Sequence, residues 1–390
     1  MKTLDKESLD LKEESFTVER NLHLRHHKSS LDQSLEDNKT EVNSSQIEVD
    51  GYQNLSDPSS ESILNASFCT QGTNRDIFEV TQSAESLTIP SKGLCNFGND
   101  CFANASFQLL FSVAPLIRSF LDAHSSGSFA STSDVEVTSK FARLVNAYCN
   151  SETRVVRDRA CRKCFSGQFT LNWQHDASQF ISTLFEKIQQ EHDKNDSILS
   201  FSEYDTWQSA WKFYREERTS IIDKLFTGFY QNTFRCKHCS AEEKNFEEFK
   251  NIPVYFNEDE NEESQFYCKT CEDIRDCIIE KKVMVSPELL LLPIQRMDPF
   301  TMQKRHDFME YEEDVRICTS EEGAQNYSLI SVICHYGSIG FGHYTAYCKR
   351  QGTWKYYDDA SVDERDQNYL NGDAYILLYQ KQREIKNKLI

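Results

Sequence analysis

Near Thr227 the chain changes its hydrophobic period, and that change limits what it can fold into. Before it, Ala177, Phe180, Ile181, Leu184, Phe185 and Ile188 follow the spacing of a helix with one buried face, starting at about Asp176. Ala105, Leu109 and Ser112, with Phe107, Leu110 and Phe111, recur at three to four residues and predict a helix from about Cys101. Pro115 opens a second helical stretch, and a third is expected from Val135 to Cys149. Beyond Thr227 the text reads as strands. Leu289 to Gln295 is a buried run, Tyr327 to Tyr336 and His343 to Lys349 flank a Gly-rich turn at Gly337 to Gly342, and Ala374 to Gln380 is a closing strand. Helices first and mostly antiparallel strands second define an α+β class.

Residues 1–86 differ in kind. They are rich in Ser, Asn, Asp and Glu, and their apolar residues are scattered without a period. Such a stretch cannot offset an ordering entropy of ~1–2 kcal/mol per residue. A disordered tail over 1–86 and a folded domain over 87–385 are therefore expected. The cluster of His23, His26 and His27 near Arg25 and Lys28 reads as solvated.

A net charge of −19 argues against a nucleic-acid partner, since duplex binding needs clustered cations. The apolar run from Phe107 to Ile117 is too short to span a bilayer, and Met1 is followed by Lys2 and acids, not by an apolar leader. The expectation is a monomer of the cytoplasm or nucleus, away from membranes. In that reducing setting the 14 cysteines read as metal ligands, nucleophiles or core thiols, not disulfides.

Four of them are paired. Cys236-Lys-His-Cys239 and Cys268-Lys-Thr-Cys271 are two CxxC turns separated by residues 240–267. Each turn sets two thiolates on one side of a tetrahedral ion, so Cys236, Cys239, Cys268 and Cys271 predict one closed, structural zinc site per chain. Short hairpins are expected around it. A third CxxC, Cys161-Arg-Lys-Cys164, has no second pair nearby and reads as incidental exposed thiols in a basic loop.

A second constellation carries reactivity. Cys101 stands at a helix start, where dipole and free amides favour a thiolate. His343 follows Gly342 at the start of a strand, and Asp358 ends a short aromatic strand. Cysteine, histidine and carboxylate are the parts of a thiol hydrolase: one attacks, one takes the proton, one orients the imidazole. Asn96, on a Gly-containing loop, is a candidate donor to the oxyanion, together with the Cys101 backbone N–H. Asp100 stands where a helix N-cap belongs, yet its charge adjoins the thiol that must ionise, so cap and charge oppose each other. A zinc hydrolase is disfavoured, because four cysteines leave no open coordination position and no HExxH is present.

These motifs resemble those of the ubiquitin-specific proteases. Gly93-Leu94-Cys95-Asn96-Phe97-Gly98-Asn99-Asp100-Cys101-Phe102, continuing to Gln108, is similar to their Cys box. His335-Tyr336-Gly337 through Gly342-His343-Tyr344, with Trp354 to Asp359, is similar to their His box. Gln174-His175-Asp176-Ala177 resembles their Gln-Gln-Asp-Ala helix start, and Leu225-Phe226-Thr227-Gly228 resembles the segment leading into the zinc ribbon.

The resemblance implies a papain-like fold with a helical thumb, an antiparallel palm and zinc-ribbon fingers over about 226–285. It implies ubiquitin and ubiquitinated proteins as partners and hydrolysis of the isopeptide bond after the C-terminal Gly of ubiquitin. It implies that Cys101 is the nucleophile, His343 the base, Asp358 the orienting acid and Asn96 the oxyanion donor. Gln174, Asp176, Tyr344 and Asp359 would then contact the substrate. The chain departs from the family pattern at Asp100 (usually Thr or Ser), Ala103-Asn104-Ala105, His175 and Ile294-Gln295-Arg296-Met297. Gln-His-Asp-Ala also resembles members acting on the interferon-induced two-domain modifier, and Asp100 leaves a weak or inactive ubiquitin-binding member as a further alternative.

Overall fold

The structure, a computed structural model, describes residues 25–27 and, within 87–383, all but 127–135, 194–197, 257–263, 299, 321–322, 339 and 365–368. The helical half begins with α1 (Cys101–Leu110), every residue of which is buried. A sharp bend of 95° leads into α2 (Ala114–Ser125), where Pro115 occupies the first turn, whose N–H groups need no intrahelical partner. Helix α3 (Glu136–Asn150) and, after a four-residue α4 (Ala160–Lys163), helix α5 (Ala177–Gln190) complete the layer around α1. Asp176 caps α5 by accepting from the Gln179 N–H at 2.7 Å. The stripe read from the sequence is the face that packs: Phe180 meets Phe102 and Phe107 edge-on at 5.4 and 5.5 Å.

Besides α4, which stands where a basic loop is expected, two further helices lie outside the sequence reading. They are α6 (Trp207–Glu217), capped by Thr206, and α7 (Ile221–Phe226), capped by Ser220. Tyr214 of α6 packs with Phe201, Phe229 and Phe246 in a separate small core that seats the next sheet. That sheet contains β4 (Gly228–Cys236), β5 (Glu242–Phe249), β6 (Ser264–Cys268) and β7 (Asp273–Val285), antiparallel in the order β5-β4-β7-β6. Its strands are longer than the expected hairpins.

The second half is a seven-stranded antiparallel sheet of order β14-β13-β12-β11-β15-β8, with a seventh strand, β10, also on β11. The strands are β8 (Leu289–Pro293), β10 (Asp314–Thr319), β11 (Gly323–Gly337), β12 (Gly342–Arg350), β13 (Thr353–Asp358), β14 (Ser361–Glu364) and β15 (Ala374–Lys381). Helix α1 lies against β12. Arg350, buried at the end of β12, ties the two: its guanidinium donates to the Gln108 carbonyl and side chain at 2.9 and 2.8 Å and to Pro90 O at 3.0 Å. Such acceptors offset the cost of burying the cation.

Two small sheets complete the chain. β2 (Gly93–Leu94) runs parallel to β3 (Val155–Val156), and Arg25–His27 (β1) pairs antiparallel with β9 (Phe308–Glu310). Apart from that pairing, the expected disorder over 1–86 lies outside the described residues.

Candidate active site

Cys101 is the first residue of α1 and is only 4% exposed. The loop before it is built around Asn96. Its side-chain oxygen accepts from the N–H groups of Gly98 and Asp100, at 2.9 and 3.2 Å, and its amide nitrogen donates to Asp359 Oδ2 at 2.8 Å. The other Asp359 oxygen accepts from Asn104 of α1 at 2.7 Å. Asp359 adopts a left-handed backbone (φ +48°), a conformation Asp reaches more readily than most residues. The turn that follows it presses on Gly93, where a Cβ would lie 2.3 Å from the Ala360 carbonyl oxygen. Gly93 is therefore a condition of this contact between loop and sheet.

The candidate base, His343, comes from the other half. Tyr336 lies opposite His343, and Gly337 opposite Gly342, across the turn between β11 and β12. A Cβ at Gly342 would sit 2.1 Å from the His335 ring, so only glycine fits there. Gln174 grips this residue from the helical half: its Nε2 donates to the Gly342 carbonyl and its Oε1 accepts from the Gly342 N–H, both at 2.7 Å. The adjacent His343 lies 2.6 Å from Asp358 Oδ1 through Nε2. A carboxylate only accepts, so Nε2 carries the proton and Nδ1 is left for the thiol. His343 is pushed up to about 9, first by its hydrogen bond with Cys101 and then by the hydrogen bond and charge of Asp358, against desolvation. The structure thus brings together Cys101, His343, Asp358 and Asn96, which lie far apart in sequence.

The four residues assigned to substrate contact are engaged internally. Gln174 holds Gly342. Asp176 caps α5 with one oxygen and accepts from the Tyr375 hydroxyl with the other. Tyr344 is buried, its ring 4.3 Å from that of His335 and 5.5 Å from that of Tyr375. Asp359 orients Asn96 and Asn104. Desolvation, with Lys304 and Arg296 nearby, lowers His335 to about 4. Lys304 in turn donates to the carbonyls of His335 and Gly337, at 2.6 and 3.1 Å, strapping the strand end before the His343 turn. Sequence reasoning missed Lys304 and gave Asn104 no role; neither carries a local pattern that marks it.

Two expectations are corrected. Asp100 makes no side-chain cap: its φ and ψ of −92° and 7° are not the extended values a capping residue uses. It is buried instead, with its carboxylate turned to Arg159 and Arg162. The Cys161 thiol is not exposed. It is buried on α4, and desolvation raises its pKa.

The four cysteines of the paired CxxC turns gather at the tip of the four-stranded sheet, with their sulfurs all within 4.8 Å of one another. Cys236 and Cys271 are 4.0 Å apart, and Cys239 and Cys268 are 3.5 Å apart. Four Zn–S bonds of ~2.3 Å in a tetrahedron require edges of roughly 3.8 Å, so the donor set fits the ion. The N–H groups of Cys239 and His238 lower Cys236 to about 7, which favours its thiolate.

Residues 92–379 match the family model for ubiquitin carboxyl-terminal hydrolase, and the chain belongs to that family. It is 24% identical over 330 residues to ubiquitin carboxyl-terminal hydrolase Usp2 of Drosophila melanogaster, covering 75% of this chain and 35% of that one. It is 26% identical to the 17-like protein E of Mus musculus (78% and 58% covered) and 25% identical to ubiquitin carboxyl-terminal hydrolase 21 of Homo sapiens (75% and 62%). The chain thus spans between about a third and three-fifths of these relatives. In fold it is similar to a chain of the SAGA DUB module bound to monoubiquitin, with a TM-score of 0.61 at 19% identity over 79% of this chain and 74% of that chain. The same module bound to ubiquitin aldehyde gives 0.59 at 18% identity, with the same coverage.

Proposed function

We propose that this chain is a thiol-dependent deubiquitinating peptidase that cleaves the isopeptide bond after the C-terminal glycine of ubiquitin. The observation that carries this reading is the junction of the two halves: His343, bonded at 2.6 Å to Asp358, lies close enough to Cys101 for the cysteine to be the first cause of its raised pKa. Family membership supports ubiquitin as the modifier.

The geometry supports the following course. The Cys101 thiolate attacks the glycine carbonyl carbon. The oxyanion forms beside the Asn96 amide, whose second N–H is spare while the first is held by Asp359, and beside the N–H groups that open α1. His343 gives its proton to the leaving lysine amine as the C–N bond breaks, leaving a thioester. It then takes a proton from water, which attacks the same carbon and expels Cys101. Zinc, held by Cys236, Cys239, Cys268 and Cys271, would cross-link the β4–β5 and β6–β7 turns and take no part in these steps. Elemental analysis should find one zinc per chain.

The decisive experiment offers the full chain a ubiquitin bearing a C-terminal electrophile. One covalent adduct on Cys101 is expected, with none in Cys101→Ala. The interferon-induced two-domain modifier, similarly activated, serves as the competitor. Absence of an adduct with ubiquitin would sink the reading.

A further inference from the structure

Asp100 is an anion placed directly before the nucleophile, where a charge next to a thiol that must ionise is unfavourable. Its surroundings answer this. Arg159 approaches with Nε 2.9 Å from one carboxylate oxygen and Nη2 3.3 Å from the other. Arg162 Nε lies 3.2 Å away, and the side chains of Arg162 and Asp100 are each only 3% exposed. Two cations thus meet one anion at the residue before Cys101, a surplus of one positive charge within the cluster. Asp158 lines the same recess but is paired with Arg143, and His343, Asp358 and Asp359 belong to the site already described.

The same arginines reach outward. Arg162 donates to the carbonyls of Phe169 and Thr170, at 2.9 and 3.4 Å, and lies over the Phe102 ring at 5.0 Å. Arg159 lies over Phe97, on the loop that carries Asn96, at 5.5 Å. Asn99, next to Asp100, donates to the Asn172 carbonyl at 2.7 Å. Asn99 thus joins the start of α1 directly to Asn172, and Arg162 joins Phe102 of α1 to the carbonyls of Phe169 and Thr170. The segment continues into Gln174, which grips Gly342 beside the base.

We propose that Asp100, Arg159 and Arg162 form an internal charge cluster that positions the start of α1 against the Gln174 segment and holds a net cation beside the Cys101 thiolate. They are positioning residues and touch no substrate. Asp100 and the arginines are one device. The aspartate is harmless because it is overcompensated, and the arginines can be buried because it is there.

The test compares Arg162→Met with Arg162→Met/Asp100→Thr in the full chain. It reads turnover of a ubiquitin C-terminal amide and, separately, the rate of iodoacetamide alkylation at neutral pH, followed by mass spectrometry of the Cys101 peptide. The single variant removes the surplus cation and leaves Arg159 alone against the anion, so kcat should fall on the order of 10²-fold with KM little changed. Alkylation of Cys101 should slow in parallel. Removing the anion as well should restore most of both, a rescue that lost packing would not give. The cluster has no such role if the double variant is no faster than the single one, or if the single variant matches wild type. Should Arg162→Met fail to fold, Arg159→Met, at a side chain 18% exposed, carries the same comparison with and without Asp100→Thr. The amide assay rests on the proposed activity, whereas the alkylation arm does not. A wild type inert to ubiquitin would therefore end the functional reading and leave the cluster to be judged on its thiol.

Discussion

The two halves of the active site are held by different forces. The proposed nucleophile, Cys101, sits at the head of a helix whose ten residues are all buried, so its place is set by close packing. The base sits at the mouth of a hairpin: the side chains of His343 and Asp358 are 42% and 40% exposed, and their place is set by hydrogen bonds. Burial resists displacement of α1 in every direction. Hydrogen bonds hold the histidine in one orientation and release it when a partner is lost. The division suits the chemistry, since the imidazole must exchange protons with water and the sulfur must not drift.

This contrast can be broken most sharply at the base. His343→Ala should lower kcat by ~10²–10⁴-fold while a thermal melt changes little, because a half-exposed side chain contributes little to packing. A variant that unfolded instead would show that the hairpin depends on more than hydrogen bonds.

A paired substitution sharpens it. Leu109→Ala, at a fully buried position of α1, should cost about 2–5 kcal/mol in denaturant unfolding. Gln174→Ala should cost only about 1 kcal/mol, yet lower kcat by roughly tenfold, since it frees the residue next to the base. Equal stability losses would erase the distinction.

The pH dependence addresses the base half alone. His343 holds its proton up to about 9, above its usual value near 6.5. The thiolate–imidazolium pair that catalysis needs is therefore lost as pH rises through about 9, and kcat/KM should fall there. Whatever stability the raised value contributes is present in full below about 6.5 and disappears across the same rise. Asp358→Asn should move the falling limb toward neutral pH, since its hydrogen bond and charge help raise the value. A pH–rate profile of the two proteins decides this.

The smallest effect is expected from the tail. A chain starting at Thr88 should keep its rate on a small ubiquitin substrate. The β1–β9 pairing involves three residues a side and lies apart from Cys101 and His343 in the sheet order. A large loss would mean that β9 transmits to the site.

Much of this arrangement is legible in the sequence. Helices α1 and α5 show their period because one face of each is apolar. The CxxC pairs, Cys101, His343 and Asp358 stand out because each needs a particular residue beside a particular turn. What escaped depends on distant partners. Helix α6 buries only Ala210 and Tyr214, too little to leave a stripe, and depends on its Thr206 cap and on Phe229 of the next sheet. Arg162 looks like a surface cation in a basic loop, and its burial makes sense only when Asp100 is seen to meet it. Asp100 looks like a cap because local text carries no information on its ψ.

Asp359 belongs to the strand half, yet both of its oxygens hold asparagines of the helix half, one of them the candidate oxyanion donor. If the halves part, the same movement that separates sulfur from imidazole also unhooks the group meant to steady the developing charge. On the proposed mechanism, parting the halves would cost attack and stabilisation together. Activity would then report on how well the halves fit, and a loosened molecule would be silent, not indiscriminate.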